Sequence, residues 1–265
     1  MFKYYYYFIL FTCLFTFGQQ KINITNEARY ELTFREYKNQ KPEFIKNTFI
    51  LLFNEKESFL KNMSLYVRDS LVDNGKIKKT GDSQKDFPVF AKYVPDLPYN
   101  IYKKENTISF SNEIPFSGEY QYTETIDFKW KISKESKTIN GIKCIKATTT
   151  KWGRNWIAFY SPKHPMPFGP YKFYGLPGLI FEVYDDAKDY TFTLYKFKNR
   201  VAKNVLMHNY PKAKKVTKKQ YEKARKVASV KPSTIKIEGY PNINKKIDKY
   251  SIDKEKNYNP IELTD

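Results

Sequence analysis

The chain has 265 residues, 41% of them hydrophobic and 18% aromatic, enough for one sizeable core and too much for a disordered chain. Its formal charge of +19 comes mostly from Lys, with Arg at Arg29, Arg35, Arg68, Arg154, Arg200 and Arg225. Nucleic-acid readers lean on the bidentate Arg fork, so the charge reads as solvated surface; nucleic acid is not expected, and an anionic membrane or polysaccharide surface stays as an alternative partner.

Lys3 and the apolar run Tyr4–Phe17, with Thr16 and Gly18 ahead of a cleavage point before Gln19, have the layout of a signal peptide over 1–18. The run is shorter than the ~20 residues of a membrane-spanning helix, so no span is expected after cleavage. A buried first strand is the alternative, and Leu10-Phe11-Thr12 makes Cys13 a poor lipidation site. The expected address is the periplasm, the outer-membrane surface or the medium. Cleavage leaves Cys144 alone, which rules out an intramolecular disulfide, a cysteine metal site and a Cys-x-x-Cys redox pair.

Arg29–Tyr37 alternates as a half-buried strand, and Thr48–Phe53 is a short apolar run of strand length. Phe59, Leu60, Met63, Val67 and Leu71 fall on one face of a helix, with a strand pair broken by a turn as the competing reading. Asn74-Gly75, Gly81-Asp82 and the prolines 88, 95 and 98 mark residues 73–100 as connecting structure. A meander follows over 107–110, 120–126, 128–132, 142–150, 156–160, 179–184 and 190–197. Its turns are placed at Asn140-Gly141, Gly153-Arg154-Asn155 and 185–189. Thr217 with Gln220 forms a capping box, and Val216 with Tyr221 a hydrophobic staple, for a short helix over 218–228. That helix is expected to dock loosely, and the Lys- and Asn-rich chain from Lys231 to be poorly ordered. The expected fold is mainly β: an antiparallel meander curled into an open barrel or sandwich, with one or two short helices. The expected organisation is a β-rich domain over 19–210 and a basic C-terminal extension over 211–265.

Residues 161–178 stand apart. Pro162, Pro165, Pro167, Pro170 and Pro177 exclude a helix or central strand. Leu176-Pro177-Gly178-Leu179 fits a buried type II turn, with Gly178 supplying φ > 0. Structured loops of this length are uncommon and often functional. Phe168, Tyr171, Phe173 and Tyr174 equip it as a lid over one end of the sheet or as a binding site. Gly175-Leu176-Pro177-Gly178-Leu179-Ile180 is the hexapeptide that names the GLPGLI family of exported bacterial proteins, and residues 127–197 resemble that family more widely. Trp130 precedes Thr138-Ile139-Asn140-Gly141-Ile142-Lys143-Cys144, Gly153-Arg154 precedes Trp156–Tyr160, and Gly169-Pro170 precedes Phe173. Phe159 stands where the family tends to carry tryptophan. The resemblance implies export to the envelope or beyond, and it supplies no catalytic residues to carry over.

Candidate chemistry is thin. His164 lies in the Pro-rich loop, and His208 is the chain's other histidine, so a His-rich zinc site is excluded. Cys144 reads as a buried, inert thiol. Asp185, Asp186 and Asp189 read as turn residues. Ser58/Lys61, Ser233/Lys236 and Ser251/Lys254 are chance Ser-x-x-Lys pairs in a Lys-rich chain. Trp130, Trp152 and Trp156 with Arg154 form either core anchors or an aromatic platform with a cation–π contact. No catalytic residue, metal or cofactor is assigned. The expected function is a non-catalytic binding or scaffolding protein of the envelope, with another envelope protein, a hydrophobic ligand or an anionic surface as partner. The alternatives are a periplasmic carrier of a hydrophobic ligand and a hydrolase with its site near the Pro-rich loop.

Overall fold

The computed structural model describes residues 21–38, 44–115, 117–207, 210, 212–230 and 251–264. The signal-like segment, His208, Ser233/Lys236 and residues 231–250 lie outside them.

Twelve strands among the described residues form one sheet. They are β1 (Lys21–Phe34), β2 (Ile45–Phe53), β3 (Glu57–Asn62), β4 (Asn100–Lys104), β5 (Thr107–Ile114), β6 (Gly118–Thr125), β7 (Lys131–Ile139), β8 (Ile142–Lys151), β9 (Arg154–Ser161), β10 (Leu179–Asp185), β11 (Tyr190–Leu206) and β12 (Lys214–Lys215). Their order is β12-β6-β5-β4-β3-β2-β1-β11-β10-β9-β8-β7, antiparallel throughout except where β12 runs parallel to β6. Two meanders therefore meet at the β1–β11 pair. Residues 126–130 carry the chain from β6, next to one edge, to β7 at the opposite edge. So short a link reaches at most about 20 Å, which requires the sheet to curl its two ends toward each other. The curl does not close, and the expected open, mainly β architecture is what the chain adopts.

The alternation of side chains sorts residues onto the two faces. Phe49, Leu51 and Phe53 of β2 join the main core inside the curl, while Ile50 and Leu52 join a smaller outer cluster with Ile22, Ile24 and Phe59. This explains why the period over 59–71 misleads at its start. Phe59 and Leu60 belong to β3 and are buried on opposite faces, and the helix α1 (Met63–Asp73) begins only after Asn62 accepts the Ser64 N–H at its N-cap.

The 73–100 connection contains a helix that composition concealed, α2 (Ser83–Phe90), with Pro88 inside it. Local chemistry makes it: Asp82 caps Gln84 N–H, and the Asp86 carboxylate accepts from the backbone of Thr80 and Gly81. Asn140 and Gly141 both take φ > 0, as a type I′ turn demands. The next hairpin turns one residue earlier than expected, at Trp152-Gly153, with φ of 54° and 73°; Arg154 and Asn155 already belong to β9.

The C-terminal part departs furthest from expectation. The capping box forms as read, with Thr217 N–H on Gln220 Oε1 and Gln220 N–H on Thr217 Oγ1, and starts α3 (Lys218–Val230). Its Tyr221 is buried against Phe110, Tyr120 and Tyr122 instead of docking loosely. Residues 251–264 are not a loose tail either: a helical turn over 251–257 leads into a strap whose Asn259 is 1% exposed.

Candidate functional site

The Pro-rich loop between β9 and β10 runs through the interior of the curl, where it is core. Phe173 packs edge-on against Trp152, Trp156 and Phe192, with ring centroids 5.4, 4.7 and 6.4 Å away. Phe168 packs on Phe53, and Tyr171 on Tyr99, Trp152 and Phe192. Tyr171 holds φ at 52°, an unfavourable value for a bulky residue, with its hydroxyl donating to Glu262. Gly178 corrects the expected turn, because it does not take positive φ; Gly175 does, at 89°. Gly178 is glycine for space, since an added Cβ would overlap the Ser161 carbonyl oxygen and lie 2.7 Å from its carbon. Leu176 and Leu179 are buried as expected.

The tryptophans stand in this packing. Trp156 and Trp152 are buried, with the Trp156 indole N–H on the Lys151 carbonyl. Half-buried Trp130 stacks on Phe128 and donates to the Tyr174 carbonyl. Arg154 does not cap them. Its guanidinium lies over Tyr190 and spends its donors on Asp185, Asp189, the Asn259 side chain and the carbonyls of Pro260 and Ile261. It is the clasp that ties the C-terminal strap to the β9–β10 end of the sheet. Leu263 N–H on the Trp152 carbonyl and Asn259 N–H on Glu36 complete the attachment. Nothing in the spacing of Arg154 and Asn259 announces this pairing, 105 residues apart.

His164 hydrogen-bonds Ser161 Oγ through Nδ1 at 3.1 Å. Burial, helped by Lys163, lowers its pKa, and its ring rests on Phe181 and Phe197. Ser161 is fully buried beneath Gly178, so this Ser–His contact has no room for a substrate. Cys144 is fully buried, and that burial pushes its thiol up to about 11. Among the described residues, no group of three or more His, Cys, Asp or Glu is placed to hold a metal. No helix among them is long and apolar enough to cross a membrane, which leaves strand-built spans unaddressed.

Beside the packed loop the interior opens into a cavity of about 350 Å³, bounded by residues 94–99, β5, α3 and the strap. Sequence reading missed it, because segments spread from residue 36 to residue 262 make its walls. Seven tyrosines line it, together with six carboxylates and one arginine. Most of these polar groups answer one another. Arg225 pairs with Glu255 and Glu222 and lies over Tyr258. At the base, Lys172 is 1% exposed, within 5.1 Å of the Phe110 and Tyr122 ring centroids and 5.3 Å of Tyr171. Its ammonium pairs with Glu124 and, at 2.6 Å, with Glu262, and donates to Tyr122 Oη. Burial pushes the Glu262 carboxyl up, but Lys172 and Lys218 more than offset it, and its pKa ends below the ordinary value.

Two features are left over. Tyr99 is 6% exposed, and its hydroxyl hydrogen-bonds to no described residue. Glu36, Asp96 and Glu113 form no ion pair with any described residue. Burial raises the Glu36 pKa and nearby Asp96 adds to the rise, against the Tyr37 hydroxyl and Lys254. On the outer face, α1 bounds a second cavity of about 290 Å³ whose buried charges are matched, Lys61 with Asp69 and Glu27 with Arg200.

No family model matches the sequence, and no curated protein matches it. Among solved structures, the chain is similar to PNGF-II in its C2 crystal form, with TM-score 0.50 and 13% identity over 76% of this chain. The P21 form of PNGF-II matches with TM-score 0.49 and 14% identity, again over 76% of this chain. The match spans about a third of PNGF-II, 32% and 33% in the two forms, and it is a likeness of fold.

Proposed function

We propose that this chain is a non-catalytic binding protein of the bacterial envelope whose ligand occupies the tyrosine-lined cavity. The observation that carries the reading is the cavity itself: about 350 Å³, walled by rings, with the Tyr99 hydroxyl, bonded to no described residue, on its border. Small-ligand sites have this size and this mixture of apolar wall and few polar groups. The signal-like N-terminus and the resemblance to the GLPGLI family support an exported location.

The hydrolase reading needs a pair of carboxylates held at different pKa values near the Pro-rich loop. Glu262 and Glu36 do move in opposite directions. Glu262, however, has both oxygens engaged by Lys172, Lys218 and Tyr171, which makes it a strut. A carboxylate clamped between two ammonium groups and held below its ordinary pKa is a poor general acid or base, and the binding reading is favoured.

Native mass spectrometry of the protein purified from its own envelope tests this. Wild type should retain a small molecule that Ile114→Trp, which fills the cavity wall, loses. A bare mass in both, with no change in cavity tyrosine resonances on adding an envelope extract, would sink the proposal.

A further inference from the structure

The charged groups around the cavity divide by exposure. Asp96, Glu113 and Glu222 are exposed, where water screens them. The half-buried ones are already answered. Arg225 pairs with Glu255, and Glu262 is clamped by Lys172 and Lys218. Glu36 accepts from the Tyr37 hydroxyl at 3.2 Å, and Lys254 acts on it as well. An ion entering this interior would shed its hydration among charges that already have partners, a cost that no new pairing offsets.

The Tyr99 hydroxyl is a different case. Its ring is held among Phe49, Phe110 and Tyr171, with centroids 5.2, 5.5 and 5.6 Å away, and the residue is 6% exposed. Tyr171 and Tyr190, on the same cavity, donate to the Glu262 carboxylate and the Asn259 carbonyl, whereas the Tyr99 hydroxyl hydrogen-bonds to no described residue. The groups that act on it, Tyr258, Glu262 and Tyr221, all line the cavity, which places this end of the ring at the open space. Burial, with those three adding to it, holds its pKa well above that of an ordinary phenol, so it keeps its proton as a donor. A buried O–H without an acceptor is unfavourable, and a ligand oxygen at this point relieves it.

We infer that the cavity takes an uncharged ligand, an apolar body carrying an acceptor oxygen, with the Tyr99 hydroxyl donating to that oxygen. The body lies along the tyrosine rings. This rests on the cavity being the ligand site, and it adds the ligand's neutrality and the group that anchors it.

The test is NMR titration of the full chain in about 0.15 M salt, following the cavity tyrosine rings. Four probes of matched size and shape are compared: acetophenone, isopropenylbenzene, benzoate and 1-phenylethylammonium. Acetophenone should bind about threefold or more tighter than isopropenylbenzene, which lacks the oxygen, and about tenfold or more tighter than either ion. Tyr99→Phe should bring acetophenone down to the affinity of isopropenylbenzene and leave the latter unchanged. The wild-type ranking stands as a test without the variant. An ion that binds as tightly as acetophenone, equal affinities for the two neutral probes, or a difference between them that survives Tyr99→Phe would overturn the assignment while leaving a ligand-binding cavity. Binding of none of the four would overturn the assignment together with the cavity reading on which it rests.

Discussion

The two halves of the interior are built from the same aromatic supply and come out differently. On the β8–β10 side, Phe173, Trp152, Trp156 and Phe128 meet ring against ring, and the indole N–H groups of Trp130 and Trp156 each find a carbonyl. On the β4–β6 side the rings are mostly tyrosines, their hydroxyls must be answered, and a cavity of about 350 Å³ remains. The difference is one oxygen per ring. Apolar rings gain by closing every gap, whereas phenols buried without partners cost free energy, so they collect where carboxylates, a lysine or open space can meet them.

The largest effect that separates the halves should come from Phe173→Ala. Truncating a ring buried to 1% exposure should cost about 3–5 kcal/mol in denaturant unfolding. A loss under about 1 kcal/mol would mean the loop is not part of the core. Gly178→Ala should cost about 1–3 kcal/mol, because the added methyl meets the Ser161 backbone, which cannot swing aside. An unchanged melting temperature would show that the close approach is absent in solution.

The cavity side is sharpened by pH. Glu262 should titrate below the ordinary 4.5 and Glu36 above it, read by carboxyl-carbon NMR. A lowered folded pKa means that the contribution of Glu262 is whole above its unfolded value and is lost as pH falls through the folded one. Strap protection, followed by exchange of the Leu263 amide, should therefore weaken on acidification. Glu36 has the opposite sign: ionised and buried, it costs stability at neutral pH, and that cost fades as it protonates. Coincident titration of the two would erase the distinction between a carboxylate clamped by two lysines and one raised by burial. The smallest effect is expected from Tyr99→Phe, within about 0.5 kcal/mol in stability, because the lost hydroxyl leaves no partner stranded. A large destabilisation would reveal a partner for it.

Much of the architecture could be read ahead because it rests on local periodicity. Most of the strands from Thr107 onward, the Asn140-Gly141 turn and the Thr217/Gln220 cap depend on neighbours within a few residues, whereas residues 128–130 of the expected strand over 128–132 belong instead to the link that carries the chain between opposite edges. Gly178 shows the limit: its local pattern Leu-Pro-Gly-Leu suggested φ > 0, but its real constraint is a backbone approach from Ser161, set by how β9 and β10 bracket the loop. The same holds for Arg154, placed among tryptophans by sequence and bound to Asn259 and Pro260 by the fold.

By itself, then, the chain's pattern of alternation, turns and caps determined a mainly β, open, curled sheet with a Pro-rich insertion. Only the tertiary structure decided that the insertion fills the curl, that residues 251–264 return to strap it, and that tyrosines from seven separate stretches of the chain leave a carboxylate-rimmed cavity. The reason is physical. Secondary structure is settled by contacts a few residues apart, while a cavity is the space left between surfaces distant in the chain, and its charge is the sum of side chains that no local window contains.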